Sequence, residues 1–281
     1  MNEAINSTIV HTRKDGRTPD QLRPVFISHD IYDFAAGSIL FEMGKTKVLC
    51  AISIQNGVPP FLRGKGIGWL TAEYALLPMS TITRTQRDGS LGKKDGRSVE
   101  IARFIGRCFR SVVDLSLFGE KTITIDCDVL QADGGTRTAS ITGAFLALEM
   151  AQQKWLNSRL IDKPLIKEKI TAVSVGVVQG RTLLDLNYDE DSAASADFNF
   201  VITQSDKIIE MQGGAERKPL SWELFDEVRN VARNGAKKLF EYYSFDQSNI
   251  KTLTTVQDKQ GYEKVEKAPF FSLKNRQNFS Q

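Results

Sequence analysis

The 281-residue sequence contains only three cysteines and two histidines. Cys50, Cys108 and Cys127 lie within apolar segments and lack the spacing of metal ligands. We therefore expect them to pack in the core of a protein from a reducing compartment. His11 and His29 both lie in the N-terminal segment, where we expect them at the surface. This placement argues against a catalytic triad built on a histidine base.

Long apolar runs and a large charge imbalance are also absent. No run approaches the roughly 20 apolar residues that a membrane-spanning helix needs. The first 17 residues lack the basic, apolar and small-residue regions of a secretory signal, so we expect a cytoplasmic protein that does not associate with a membrane. The formal net charge is only +3, and any affinity for nucleic acid must therefore come from local patches.

Hydrophobic periodicity predicts an α+β fold with mixed β-sheets packed against helices. The predicted strands cover residues 22–27, 37–43, 47–55, 69–77, 121–130, 170–178, 182–188, 198–203 and 207–213. The predicted helices cover residues 98–113, 139–156 and 221–243. We assign residues 1–245 to a single domain. Residues 246–281 are polar, with scattered lysine and glutamine, and we assign them to a C-terminal extension.

The most informative segment is QADGGTRTAS, Gln131–Ser140, which joins a predicted strand to a predicted helix. Gly134 and Gly135 allow close approach to the backbone, and a helix N-terminus offers unpaired N–H groups and partial positive charge. Thr136 can donate a hydroxyl hydrogen bond, and Arg137 can bind a phosphate through its planar guanidinium. The segment is a candidate phosphate site, although on its own it is more simply explained as an ordinary turn.

A basic segment precedes this turn, at residues 78–97. Five basic residues outnumber two acidic ones there, which leaves an excess of three positive charges: Arg84, Arg87, Lys93, Lys94 and Arg97 against Asp88 and Asp95. A basic loop without aromatic residues suits the phosphates of a nucleic-acid backbone better than stacked bases. Arg97, where the loop meets the next helix, is best placed to bind an anion. The alternative is a loop that is merely solvated.

Five carboxylates cluster between residues 185 and 197: Asp185, Asp189, Glu190, Asp191 and Asp197. Carboxylates this close repel one another, so solvent, arginines or a divalent cation must compensate their charge. Alone, the cluster is most simply a solvated acidic hairpin. We call the candidate phosphate site at 131–140 the phosphate turn. Combined with this turn and the basic loop at 78–97, the acidic cluster indicates phosphoryl or nucleotidyl transfer, in which positioning and electrostatics supply most of the catalysis.

These segments resemble the ribonuclease PH family. The likeness extends from about Arg13 to Tyr243, and its motifs follow the family's order. They are DGR at 15–17, QLRPV at 21–25, VPPFLRGKG at 58–66, GWLTAEY at 68–74, GRSVEIARFIGR at 96–107, KTITIDCDVLQADGGTRTASITGAF at 121–145 and LLDLNYDEDSAASAD at 183–197. The resemblance implies the ribonuclease PH fold and a homo-hexameric ring assembled as a trimer of dimers.

The resemblance also implies an activity. Members of the family use inorganic phosphate to remove nucleotides beyond the CCA end of tRNA precursors, release nucleoside diphosphates, and also act on ribosomal RNA. Carried onto matching positions, the phosphate-binding residues are Arg97, Gly135, Thr136 and Arg137. The catalytic carboxylates that bind Mg²⁺ are Asp191 and Asp197, with Asp185 and Asp189 as supporting acids. Arg84 and Arg87 lie on the loop that holds tRNA, and we add Arg63, from the basic loop at 58–65, to the RNA-binding set.

Three features depart from the family pattern, and one is the turn at 213–216, which is GGAE where the family has a GTAE-like sequence. Met79 stands where the family usually has an arginine, so one phosphate contact on tRNA is expected to be absent. The C-terminal extension is also longer than the resemblance implies. A catalytically silent ring subunit that binds RNA is the alternative from another functional class, and a hydrolytic nuclease is a third. The silent subunit is disfavoured because the phosphate residues and the catalytic acids are all present. The hydrolytic nuclease is disfavoured because a dedicated phosphate site would then have no purpose.

Overall fold

The computed structural model describes residues 13–87 and 95–244. Its first sheet contains five strands in the order β1-β2-β3-β5-β4. The strands are β1 (Val25–His29), β2 (Gly37–Met43), β3 (Thr46–Asn56), β4 (Trp69–Leu76) and β5 (Lys121–Gln131). Neighbouring strands are antiparallel, except that β4 and β5 are parallel. Helix α1 (Gly96–Val112) lies between these two strands in the chain, as a parallel connection requires.

The second sheet contains four antiparallel strands in the order β7-β6-β8-β9. They are β6 (Ile170–Val178), β7 (Arg181–Leu184), β8 (Ala196–Thr203) and β9 (Ile208–Ala215). The short helix α3 (Tyr188–Ala193) connects β7 to β8, and α4 (Trp222–Phe240) follows β9. Short 3₁₀ helices occur at Pro60–Leu62, Leu115–Phe118 and Glu241–Ser244.

Helix α2 (Thr136–Asn157) lies at the centre of the fold. It packs against β2 and β3 of the first sheet and against β6 of the second, so most of its residues are buried. A helix covered on several sides is apolar around most of its circumference. Gly143 permits a close contact with β2 and β3, because a Cβ added there would lie 2.9 Å from Phe41 Cβ and from Cys50 Sγ. Helix α4 instead buries one face, against β6 and β7.

Most of the predicted elements are confirmed, and the exceptions have local causes. The first strand begins at Val25 rather than at residue 22, because Arg23 binds Asp185 and Pro24 has no N–H to donate to a sheet. The predicted strand 182–188 ends at Leu184, because Asp185 adopts φ +53° and turns the chain toward α3. Helix α2 begins at Thr136, three residues earlier than predicted.

The three cysteines are free and buried, as predicted. His29 is half-buried, and desolvation lowers the pKa of its imidazole. His11, Asp88, Lys93, Lys94 and the extension at 246–281 lie outside the described residues. The division into residues 1–245 and 246–281 stays a prediction. In the described part of the chain, no helix is long and apolar enough to span a membrane.

Candidate active site

Loops and helix ends from both sheets surround one large cleft of about 1990 Å³. Its wall contains the turn between β5 and α2, the helix α3, the start of β8 and the end of β9. Arg97 at the start of α1 and the segment that follows β4 also line it. The cleft brings together the residues that the sequence assigns to phosphate and metal binding: Arg97, Gly135, Thr136, Arg137, Asp191 and Asp197.

The turn before α2 has a conformation that requires glycine. Gly134 and Gly135 have φ values of +73° and +64°. A Cβ on Gly134 would lie 2.4 Å from the carbonyl oxygen of Leu186, so the turn packs directly on the chain that enters α3. Thr46 fixes the turn from the other side, because its hydroxyl donates to the Gly134 carbonyl at 2.7 Å and accepts from the Asp133 N–H at 3.1 Å.

No side chain caps the N-terminus of α2, whose N-cap residue is Gly135. The first N–H groups of the helix therefore have no intrahelical acceptor and can bind an anion. The hydroxyl of Tyr74 donates to Thr136 Oγ1 at 2.9 Å, which leaves the Thr136 hydroxyl hydrogen free to bind a ligand. Burial raises the pKa of Tyr74, so this tyrosine remains a protonated donor at neutral pH.

Two arginines line the same part of the cleft. Arg137 NH1 donates to Glu100 Oε1 and to Gln212 Oε1, each at 2.9 Å. These contacts orient its guanidinium between α1 and β9. Arg97 is exposed and lines the cleft. Burial raises the pKa of Asp191, and the charges of both arginines oppose this rise, which is consistent with a common site.

Asp191 on α3 and Asp197 on β8 both line the cleft. Burial raises the pKa of Asp191, and the charge of Asp197 raises it further. Burial likewise raises the pKa of Asp197, with Glu216 as the next contributor. The arginines oppose both shifts without cancelling them. The two carboxylates therefore repel each other, and a cation placed between them would relieve the repulsion.

The described residues contain no group of three or more histidine, cysteine or acidic side chains that could hold a metal ion by itself. Mg²⁺ does not require such a group, because it commonly takes one or two carboxylates and completes its coordination with water and substrate phosphate. Asp191 and Asp197 supply hard oxygen ligands next to the candidate phosphate site. The residues present thus fit a Mg²⁺ ion that is shared with a phosphate ligand.

The other acids of the cluster have separate roles. Asp185 is buried, and both of its carboxylate oxygens accept hydrogen bonds from Arg23 at 2.7–3.0 Å. Glu190 pairs with Arg13, and Asp189 lies at the surface 3.6 Å from Lys14. A solvated acidic hairpin is therefore the wrong description, since buried arginines neutralise two of the five acids, Asp185 and Glu190. Arg13 and Arg17 are themselves buried.

The RNA-binding candidates occupy different positions. Arg84 and Arg87 are exposed on the segment after β4, whose neighbouring Ile82, Thr83 and Thr85 line the cleft. Arg63 is exposed beyond the 3₁₀ helix Pro60–Leu62. None of the three arginines lines the cleft itself, so they are available to RNA that extends out of it.

Sequence reasoning missed Tyr74 and Gln212. Tyr74 faces the core from β4 together with Leu70 and Ala72. This alternation of buried residues along the strand indicates only core packing. A tyrosine among these buried apolar residues could have indicated the contact, because a buried hydroxyl needs a hydrogen-bond partner. Gln212 contacts Arg137 only through tertiary structure and gives no local signal.

The chain matches the model of the 3′ exoribonuclease family, domain 1, over residues 21–154 and domain 2 over residues 170–235. A protein named ribonuclease PH from Dehalococcoides mccartyi strain 195 is 49% identical over 229 residues, which cover 82% of this chain and 96% of the relative. The protein of the same name from strain BAV1 is 48% identical, over 82% of this chain and 95% of the relative.

Two solved structures have similar folds. A chain of the Archaeoglobus fulgidus exosome with RNA bound to the active site superposes with a TM-score of 0.70 at 26% identity, covering 83% of this chain and 93% of that one. A chain of an archaeal exosome core superposes with a TM-score of 0.67 at 28% identity, covering 83% of this chain and 91% of that one. The predicted α+β ribonuclease PH fold is therefore confirmed. The chain belongs to the ribonuclease PH family of 3′ exoribonucleases.

Proposed function

We propose that this protein is a phosphorolytic 3′-to-5′ exoribonuclease, a tRNA nucleotidyltransferase with inorganic phosphate as co-substrate. The observation that supports this most is the content of one cleft. An uncapped helix N-terminus, two arginines and two mutually repelling carboxylates line it together. A hydrolase would have no use for a separate phosphate site. Family membership and the relatives named ribonuclease PH support the same reaction.

In the proposed reaction, an oxygen of inorganic phosphate attacks the phosphorus of the terminal phosphodiester. The bond from that phosphorus to the O3′ of the preceding nucleotide breaks, and the terminal nucleotide leaves as a nucleoside diphosphate. O3′ gains the proton that the attacking phosphate loses, so the shortened RNA ends in a 3′-hydroxyl. The helix N–H groups, the Thr136 hydroxyl and the guanidinium groups of Arg97 and Arg137 bind the phosphate and orient it for attack.

We assign Mg²⁺ to Asp191 and Asp197. When bound, the ion would offset negative charge on the transferred phosphoryl group and on the leaving oxygen. The protein's own contribution is to hold both carboxylates at the phosphate site despite their repulsion. Glu216, which raises the pKa of Asp197, adds negative charge that favours a cation there.

We propose precursors of tRNA with extensions beyond the CCA end as the main substrates, and ribosomal RNA as a further one. Arg84, Arg87 and Arg63 are exposed outside the cleft and can bind phosphates of the RNA body. Their contacts would add affinity without reading a base sequence. This fits an enzyme that recognises a folded RNA and removes unrelated 3′ nucleotides.

We also propose that the protein works in the cytoplasm as a homo-hexamer, a trimer of dimers. Large apolar side chains with exposed fractions of 63%, 104% and 81% support assembly: Phe26, Phe34 and Trp222. The likeness to chains of exosome structures agrees with a protein that functions in an assembly. The three free, buried cysteines agree with a reducing compartment.

The alternative is a catalytically silent subunit that binds RNA. The likeness to an exosome core favours it. The cleft favours the enzyme, because it retains the phosphate-binding groups and both acids.

The test is degradation of a tRNA precursor with a short 3′ extension, in Mg²⁺, with and without inorganic phosphate. We expect shortening only with phosphate, and release of nucleoside diphosphates. Arg137→Ala and Asp191→Asn should each abolish most of this activity, while Arg233→Ala should not, because Arg233 pairs with Asp206 on the surface. Shortening without phosphate, with monophosphate products, would mean hydrolysis. Binding of RNA without shortening would favour the silent subunit.

A further inference from the structure

The helix that carries Asp191 is too short to be stable alone. α3 contains six residues, Tyr188–Ala193. Isolated helices shorter than about 12 residues are marginal in water because nucleation is costly. The position of Asp191 therefore depends on contacts that hold α3 from outside. We infer that Arg13 and Glu190 are positioning residues that hold α3 so that Asp191 can bind the metal ion with Asp197. This inference rests on the proposed function of those two acids.

Glu190 connects the helix to the rest of the molecule. Its Oε2 accepts from the Asn187 N–H at 3.0 Å, and the Asn187 side chain accepts from the Glu190 N–H at 3.0 Å. This reciprocal capping box closes the start of α3. The Asp191 N–H then donates to the Asn187 carbonyl at 2.9 Å, so the backbone of Asp191 is tied to the same cap.

Arg13 binds this cap from the N-terminal segment of the chain. Its Nε donates to Glu190 Oε1 at 2.7 Å, and its NH2 donates to Glu190 Oε2. The same guanidinium donates to the carbonyl oxygens of Leu184 at 2.6 Å and Asp185 at 2.9 Å, at the end of β7. One side chain thus fixes both the strand before α3 and the cap of α3.

The ion pair of Arg13 and Glu190 is buried, so its geometry determines where the cap of α3 lies. The side chains of Arg13 and Glu190 are only 3% and 11% exposed. A bidentate pair between a guanidinium and a carboxylate has a defined geometry, and in a poorly solvated place neither partner can turn to water instead. Arg17 NH2, 3.5 Å from Glu190 Oε2, adds a second positive charge on the same carboxylate.

The held helix also touches the phosphate turn. The Tyr188 N–H donates to Asp133 Oδ1 at 3.3 Å, and Gly134 packs against Leu186 and Asn187. The cap of α3 is therefore fixed between Arg13 on one side and the phosphate turn on the other. A shift of α3 would move Asp191 relative to Asp197, which belongs to β8 and would stay in place. The expected defect is weaker metal binding rather than lost phosphate binding.

The test uses Arg13→Lys, which keeps the charge but loses the planar fork, and Glu190→Gln, which keeps the cap acceptor but loses the charge. Mn²⁺ is titrated into the full chain with saturating inorganic phosphate, and free Mn²⁺ is followed by electron paramagnetic resonance. Because groups that orient metal ligands typically affect affinity about 10- to 100-fold, we expect each variant to weaken Mn²⁺ binding about 10-fold. Asp206→Asn, in the surface pair with Arg233, is the control and should bind Mn²⁺ like the parent.

A second readout separates positioning from general damage. In phosphorolysis assays the Mg²⁺ concentration for half-maximal rate should rise about 10-fold, while kcat at saturating Mg²⁺ and KM for phosphate stay within about 2-fold of the parent values. Parental Mn²⁺ affinity in either folded variant overturns the inference, and so does a fall in kcat that excess Mg²⁺ does not restore. If Arg13→Lys does not fold, Glu190→Gln decides. If Asp191→Asn itself binds Mn²⁺ with parental affinity, the proposed metal site fails as well; if only Asp191→Asn weakens binding, the positioning role alone fails.

Discussion

Arg23 and Asp185 form a buried bidentate ion pair, although 162 residues separate them in the sequence. Arg23 Nε and NH2 donate to the two carboxylate oxygens at 3.0 and 2.7 Å, and Arg23 NH1 donates to the Asp133 carbonyl in the phosphate turn at 2.5 Å. Burial lowers the pKa of Arg23, but the charge of Asp185, its hydrogen bonds and the charges of Asp133 and Glu190 together outweigh burial and raise this pKa. The pair thus joins the end of β7 to the candidate phosphate site.

Asp185→Asn should strongly destabilise the protein. The change keeps the shape and tolerates the local φ of +53°, but it leaves Arg23 without its buried counter-charge and removes one of the carboxylates that face Arg17. Removing one partner of a buried pair typically costs about 3–5 kcal/mol. Urea unfolding would measure the loss. The matched control is Asp30→Asn, at φ +52° in an exposed pair with Lys154, where about 1 kcal/mol or less is expected. Similar losses in both variants would contradict the assigned role.

Gly134→Ala should cost much more stability than Gly180→Ala. Both glycines have φ near +75°, so both alanines suffer the same backbone strain, on the order of 1 kcal/mol. A Cβ at position 180 meets nothing within 4 Å, whereas one at position 134 meets the Leu186 carbonyl at 2.4 Å. We expect Gly134→Ala to lose at least about 2 kcal/mol more in urea unfolding, as overpacking typically costs. Equal losses would mean that the turn and α3 are not tightly packed.

Asp128→Asn should stabilise the protein at neutral pH. Burial, and then the charge of Glu73, raise the pKa of Asp128. Folding therefore favours the protonated carboxyl, so stability falls as the pH rises from the unfolded-state pKa to the folded-state pKa, and the full cost is present above the latter. The gain from asparagine should be present at pH 7 and disappear as the pH falls below the ordinary value of 3.8, where aspartic acid is neutral in both states. Urea midpoints measured from pH 7 to pH 3 would check this. A gain that does not change with pH would contradict it.

Hydrophobic periodicity and turn-forming residues were sufficient to predict most strands, the helices and the strand–turn–helix segment around Gly134. They were sufficient because each depends on residues close in sequence. The ion-pair partners of Asp185 and Glu190 could not be predicted in this way. Their partners Arg23 and Arg13 lie 162 and 177 residues away, so the sequence shows five acids but not which ones are neutralised. The contacts of Arg137 with Glu100 and Gln212 join three elements and are equally hidden.

Glu100→Gln should improve phosphate binding. Glu100 Oε1 accepts from Arg137 NH1, and its carboxylate repels an anion that approaches the same guanidinium. Glutamine keeps an acceptor for Arg137 but removes the charge. Since an exposed charge pair is typically worth about 1 kcal/mol or less, KM for phosphate should fall about 2- to 5-fold. The effect should shrink at high salt. A higher KM would mean that the charge of Glu100 is needed to orient Arg137.

Met79→Arg should strengthen binding of tRNA precursors. Met79 is 70% exposed and lines the cleft, directly after Pro78, where the family usually has an arginine. One added phosphate contact releases about one more counterion, so the slope of log affinity against log salt should steepen by about 0.7–0.9. Electrophoretic mobility shifts at several salt concentrations would measure this slope. Both proteins would also carry Asp191→Asn, so that they bind the RNA without degrading it. Leu160→Arg adds the same charge on the loop after α2, away from the cleft lining, and should leave the slope unchanged. An equal change in both variants would mean that net charge, rather than a contact at position 79, determines tRNA affinity.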